Sequence, residues 1–134
     1  MGRDAMRYLL DTHVLLWLAN EAERVPVETR NQLAQASGRV VSSASAMEIA
    51  LKTRLGRLTG GHAITTGWQR VLSSFLADEL PLSGPHMLYA GGMDWAHRDP
   101  FDRMLVAQAL LEGLVLVTLD RAIIAHAEVE TLSW

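Results

Sequence analysis

The sequence predicts an α/β fold of three layers, α/β/α, around a short parallel sheet. Two observations carry this. Short apolar runs of strand length alternate with longer stretches of helical apolar spacing along the chain. Those short runs are apolar throughout, as in strands covered by helices on both faces.

The first strand covers residues 6–10 and stops at Asp11-Thr12. A helix follows over residues 13–20, with Val14, Leu15, Leu16, Trp17 and Leu18 as its apolar run. Pro26 opens a second helix that reaches about Ser37 and ends at Gly38. Val40 and Val41 form a second small strand. Ser45 and Glu48 have capping-box spacing, which opens a helix running to Leu55 and closing at Gly56. Residues 59–66, rich in Gly and Thr, read as a loop. An amphipathic helix over residues 68–78 turns Val71, Leu72, Phe75 and Leu76 inward. A brief extended segment at Leu80-Pro81-Leu82 and a short helix over residues 84–92 come next.

The strongest helix signal lies in residues 97–113. Asp99 stands at the N-cap, Pro100 at the first helical position and Asp102 at the third, ahead of Leu105, Val106, Ala109 and Leu110. Gly113 closes the helix. Residues 114–118, Leu-Val-Leu-Val-Thr, are the best strand in the chain and lead to Asp120. A short helix over 121–126 and a strand near 129–132 complete the pattern, with no repeats or low-complexity tracts.

At 134 residues the chain fits one domain, 1–134, with a core large enough to need no staples. Met6 is an alternative start, which would make residues 1–5 an extension before the core. Cysteine is absent, which excludes disulfides, thiolate metal sites and cysteine nucleophiles. The apolar fraction is 49% and the net charge −3, so broad electrostatic coating of nucleic acid is not indicated. A mean hydropathy of +0.12 hints at apolar surface covered by a partner. The run from Tyr8 to Ala19 is interrupted by Asp11 and His13, too short and polar to span a membrane, and it lacks a signal-peptide cleavage pattern. A cytoplasmic protein is expected.

In a parallel sheet the strand C-termini and helix N-termini share one edge, where α/β ligand sites form. Asp11 and Asp120 follow strands, and Glu48 and Asp102 lie in first turns of helices. Four acids from four segments are thus expected at one rim. Asp102 also shares its helix face with Leu105, Val106 and Ala109, so its carboxylate points toward the core. Two carboxylates about 5 Å apart repel by roughly 3 kcal/mol at an effective dielectric near 20. Such a cluster binds protons, pairs with arginines or holds a cation. All-oxygen donors favour Mg²⁺ or Mn²⁺ over zinc, and a hard-ligand rim of this kind suits phosphodiester hydrolysis.

Each residue also has a plainer reading. Asp99 serves as an N-cap, Asp102 as a first-turn acid, and Glu48 as a capping-box partner able to pair with Lys52 at i+4. Asp11 and Asp120 read equally as strand-ending turn residues. Thr118, two residues before Asp120, either orients water or phosphate or simply packs in its strand. Arg98, Arg103 and Arg121 flank the acids as candidates for substrate phosphates or as solvated charge. Lys52, Arg54 and Arg57 form a basic patch or an exposed helix face. His13 and His97 read as packing or hydrogen-bonding residues, and Trp17 and Trp68 as core.

Four segments together resemble PIN-domain ribonucleases, most closely VapC-type toxins of bacterial type II toxin–antitoxin systems. They are Leu9-Leu10-Asp11-Thr12-His13, Ser45-Ala46-Met47-Glu48-Ile49-Ala50, residues 97–109, and Leu116-Val117-Thr118-Leu119-Asp120-Arg121. The resemblance spans residue 6 to the C-terminus. It implies a PIN-like three-layer fold and an endoribonuclease dependent on Mg²⁺ or Mn²⁺. It also implies Asp11 and Asp102 as principal metal ligands, and Glu48 and Asp120 holding a second ion or the attacking water. Asp99 and Thr118 would support them. A homodimer silenced by a small VapB-like antitoxin is the implied assembly. The alternative is a PIN-like module with weak turnover that acts through RNA or protein contacts.

Overall fold

In a computed structural model of the chain, residues 4–126 and 128–134 are described. Five strands form one parallel sheet in the order β3-β2-β1-β4-β5. The strands are β1 (Asp4–Leu10), β2 (Ala36–Ser42), β3 (Asp78–Leu80), β4 (Val115–Val117) and β5 (Thr131–Leu132). Helices α1 (Thr12–Asn20), α2 (Val27–Ala34), α3 (Ser43–Arg54), α4 (Gly61–Thr66) and α5 (Trp68–Ser74) lie between β1 and β3, save that α1 and α2 precede β2. Helices α6 (Gly84–Gly92) and α7 (Pro100–Glu112) connect β3 to β4, and α8 (Arg121–Ile124) follows β4. The three-layer α/β/α architecture is the expected one.

Side-chain alternation along the strands splits the core in two. Tyr8, Leu10, Val41, Val115 and Val117 face one layer, where they pack with Val14, Leu15, Leu33 and Ile49. Leu9, Val40 and Leu116 face the other, against Leu105, Val106 and Ala109 of α7. Trp17 and Trp68 lie at the border of the first layer, half-buried rather than fully inside. No helix among the described residues is long and apolar enough to cross a membrane.

Several expectations change. Strand β1 includes Asp4 and Ala5, so part of the anticipated extension belongs to the sheet, and residues 1–3 lie outside the described ones. Strand β2 begins at Ala36, where a helix had been expected to reach Ser37. Its pairing with β1, from Asp4↔Ala36 to Leu10↔Val41, takes those backbone groups. Helix α3 starts at Ser43, capped by Ser42, whose Oγ accepts from the Ala44 N–H at 2.9 Å. Ser45 is therefore not the N-cap, and its hydroxyl bonds that of Thr12 at 2.8 Å instead.

Residues 61–66 form a helix where a loop was expected, because burial of Ile64 outweighs the poor local propensity. That helix can approach α3 because Gly61 has no side chain to strike Thr53. The long helix α7 follows expectation: Asp99 Oδ1 accepts from Phe101 N at 2.9 Å, and Gly113 ends it at φ 67°.

Candidate functional site

Strands β1 and β4 lie side by side, with Leu10 opposite Val117, and both end at the same edge. Asp11 and Thr118, the next residue of each, meet there. Thr118 Oγ1 donates to Asp11 Oδ2 at 2.6 Å and accepts from the Asp120 N–H at 3.0 Å. One buried hydroxyl thus joins the ends of two strands. Its proton is committed to Asp11, so Thr118 orients a carboxylate rather than a water molecule.

Helix N-termini bring in the other acids. Asp120 caps α8, its Oδ1 accepting from Ala122 N at 2.9 Å and Ile123 N at 3.2 Å. Glu48, one turn into α3, receives Lys52 Nζ at 2.6 Å. Asp102 in the first turn of α7 receives His97 Nε2 at 2.6 Å. Asp11, Glu48 and Asp102 are only 6%, 4% and 8% exposed. Carboxylates this enclosed are costly, and among the described residues two cationic or protonatable side chains, Lys52 and His97, bond to them directly.

The electrostatics show the crowding. Burial raises the pKa of Asp11, a rise opposed by the Thr118 bond and by His13 and reinforced by Glu48. Burial also raises Asp102, to about 6, against the His97 bond; the charges of Asp99, Asp11 and Asp120 push the same way. Lys52 is lowered by burial, but the Glu48 bond and the charges of Glu48, Asp99 and Asp102 together leave it raised. Acids from four segments therefore sense one another.

The folded state holds the Asp102 proton more tightly than the unfolded chain. Its stabilising contribution is full below about pH 4 and is lost as pH rises through about 6. In metal-free buffer the melting temperature is expected to fall across that window, and calorimetry from pH 4 to 8 checks it. A flat profile would show the carboxylates to be well solvated.

One ring nitrogen of His97 and one oxygen each of Asp102 and Asp120 lie within 4.8 Å of one another. Such donors suit a divalent cation, and the charge of Asp11 reaches Asp102, as that of Glu48 reaches Asp11. Sequence reasoning gave His97 a packing or hydrogen-bonding role, and the bond to Asp102 is of the second kind. The chemistry of His97 depends on the 2.6 Å approach to Asp102, five residues on, and a single histidine before a helix carries no such signal.

The three arginines separate. Arg103 does not face substrate: Nε donates to Ala90 O at 2.8 Å, Nη1 to Trp95 O at 2.8 Å and His97 O at 2.9 Å, and Nη2 to Met93 O at 2.7 Å. The expectation of a phosphate contact is corrected, since that guanidinium is spent on the end of α6 and the following loop. Arg98 and Arg121 are exposed. An apolar cleft of about 340 Å³, lined by Leu18, Leu33, Phe75 and Leu76 among others, contains none of the four acids.

Solved structures share this architecture. A chain of the VapBC2 complex of Rickettsia felis, bound to a DNA fragment from its promoter, matches with a TM-score of 0.67 at 18% identity, covering 96% of this chain and 99% of that one. A chain of DNA-bound VapBC from Salmonella typhimurium matches at 0.66 and 19%, covering 96% and 98%. One of FitAcB from Neisseria gonorrhoeae gives 0.59 and 19%, covering 93% and 96%. These likenesses are of fold. No curated protein matches the sequence. The sequence pattern of the PIN domain matches residues 8–129, nearly the whole chain, and the protein belongs to the PIN domain family.

Proposed function

We propose that this protein, acting as a single PIN unit, is an endoribonuclease dependent on Mg²⁺ or Mn²⁺ and the toxin of a toxin–antitoxin pair. The observation that carries the reading is the convergence of Asp11, Glu48, Asp102 and Asp120 on one rim, with burial and mutual repulsion that a divalent cation relieves. Asp11 and Asp102 are the principal ligands, and Glu48 and Asp120 serve a second ion or the attacking water. A bound ion of this type polarises the phosphate and lowers the pKa of water.

The remaining work falls to the chain. Thr118 fixes Asp11 through Oδ2, with a smaller contribution from the Thr12 backbone at the start of α1. Asp99 caps α7 and so sets the direction of Asp102. Lys52 balances Glu48 at the edge of the cluster. Arg98 and Arg121, exposed beside the acids, meet the phosphates of a single-stranded RNA. A small VapB-like antitoxin is the proposed partner, by analogy with the VapBC and FitAB complexes on DNA, and a second copy of this chain completes the proposed assembly.

The test is incubation with a mixed RNA pool. Cleavage with Mn²⁺ or Mg²⁺, abolished by chelator and by Asp11→Asn, is expected. RNA retained without cleavage would assign a binding module instead, and equal cutting by Asp11→Asn would remove the acids from the reaction.

A further inference from the structure

We propose that His97 supplies a nitrogen ligand to the divalent ion of the acidic rim, beside Asp102 and Asp120, and tilts that site from Mg²⁺ toward Mn²⁺. This rests on reading the rim as a metal centre. Its geometry comes first. An octahedral ion with donors at about 2.1 Å places adjacent donors about 3 Å apart and opposite ones about 4 Å apart. His97 Nε2 stands 2.6 Å from Asp102 Oδ2, and the donors of His97, Asp102 and Asp120 span no more than 4.8 Å. Small side-chain adjustments turn a pair sharing a proton into one edge of a coordination shell.

The ring is also held as a ligand must be. The His97 backbone carbonyl accepts from Arg103 Nη1 at 2.9 Å, and the ring centroid lies 4.9 Å from that of Trp95, tilted by 47°. Trp95 is fixed in turn, through its own carbonyl on Arg103 and by stacking on His126 at 4.7 Å. The His97 side chain keeps 26% exposure, so the ring is not sealed inside the core.

The consequence for ion choice follows from donor type. Mg²⁺ holds oxygen ligands and gains little from imidazole; Mn²⁺ also favours oxygen donors, but as a transition ion it accepts a nitrogen donor better than Mg²⁺ does. A neutral donor also adds coordination without adding to the repulsion among the acids.

Electron spin echo measurements on the full chain loaded with one equivalent of Mn²⁺ test this. Nitrogen modulation is expected, removed by isotopic labelling of histidine nitrogens and absent in His97→Gln, yet retained in His13→Gln. The preference for Mn²⁺ over Mg²⁺, read from calorimetric titration, should fall about tenfold in His97→Gln. Tight Mn²⁺ binding without nitrogen modulation, or modulation that persists in His97→Gln, overturns the proposal and leaves the metal centre standing. Absence of Mn²⁺ binding to the parent protein overturns both. Should His97→Gln not fold, the labelled parent and His13→Gln still decide: modulation lost in His13→Gln assigns the nitrogen to His13.

Discussion

Asp102→Asn is expected to melt about 5 °C above the parent in metal-free buffer at pH 7.5, to gain nothing from added Mn²⁺, and to lose cleavage by a hundredfold or more. The reasoning starts from the carboxylate's surroundings. Burial raises its folded-state pKa to about 6 from 3.8, and three other acids push in the same direction. Each unit is worth about 1.4 kcal/mol, so ionising this group at neutral pH costs the fold up to about 3 kcal/mol. Asn keeps the shape and an acceptor for His97 while carrying no charge. Some of the gain is lost with the charge-assisted His97 bond, leaving about 1–2 kcal/mol, or several degrees in a domain of this size.

The same substitution removes a principal ligand, and even outer partners of metal ligands cost ten- to a hundredfold when lost. Greater stability together with lost activity is the mark of a site whose charges are assembled for an ion. Glu48 offers no matching gain, because Lys52 at 2.6 Å already neutralises it. An Asp102→Asn protein that melts lower than the parent and still responds to Mn²⁺ would place the ion elsewhere.

The sequence shows features whose signals are local. Helix α7 is legible because Asp99, Pro100 and Gly113 occupy cap positions, and the inward direction of Asp102 follows from its spacing to Leu105, Val106 and Ala109. The meeting of Asp11 and Asp120 follows from parallel strands ending at one edge, and Thr118 completes it with two bonds. Features fixed by distant partners are not legible. Ala36-Ser37-Gly38-Arg39 shows no strand alternation, yet it pairs with β1, and the Arg39 guanidinium is anchored on the carbonyls of Leu33 and Phe75. His97 and Arg103 are two more such cases. Arg98 and Arg103 look alike beside an acid in sequence, and only the return of α6 against α7 gives one of them four carbonyls.

Those four carbonyls make Arg103 the residue whose loss should cost the fold most. Ala90 and Met93 lie at the C-terminal end of α6, where free carbonyls carry the negative end of the helix dipole, and Trp95 and His97 lie in the loop beyond. One planar fork satisfies all of them, a geometry that lysine's point charge cannot copy. Arg103→Ala leaves the carbonyls without their donor and is expected to destabilise by about 3–5 kcal/mol, lowering the melting temperature by more than about 10 °C. Arg103→Lys should recover a minor part. Protease sensitivity should rise first in residues 93–97, because that loop opens when its anchor goes. A phosphate-binding arginine would behave in the opposite way: Arg103→Ala would melt with the parent, bind RNA more weakly, and show a salt dependence reduced by about one ion. Melting curves and RNA affinity at two salt concentrations separate the two roles, and a stable Arg103→Ala with impaired RNA binding would restore the guanidinium to the substrate.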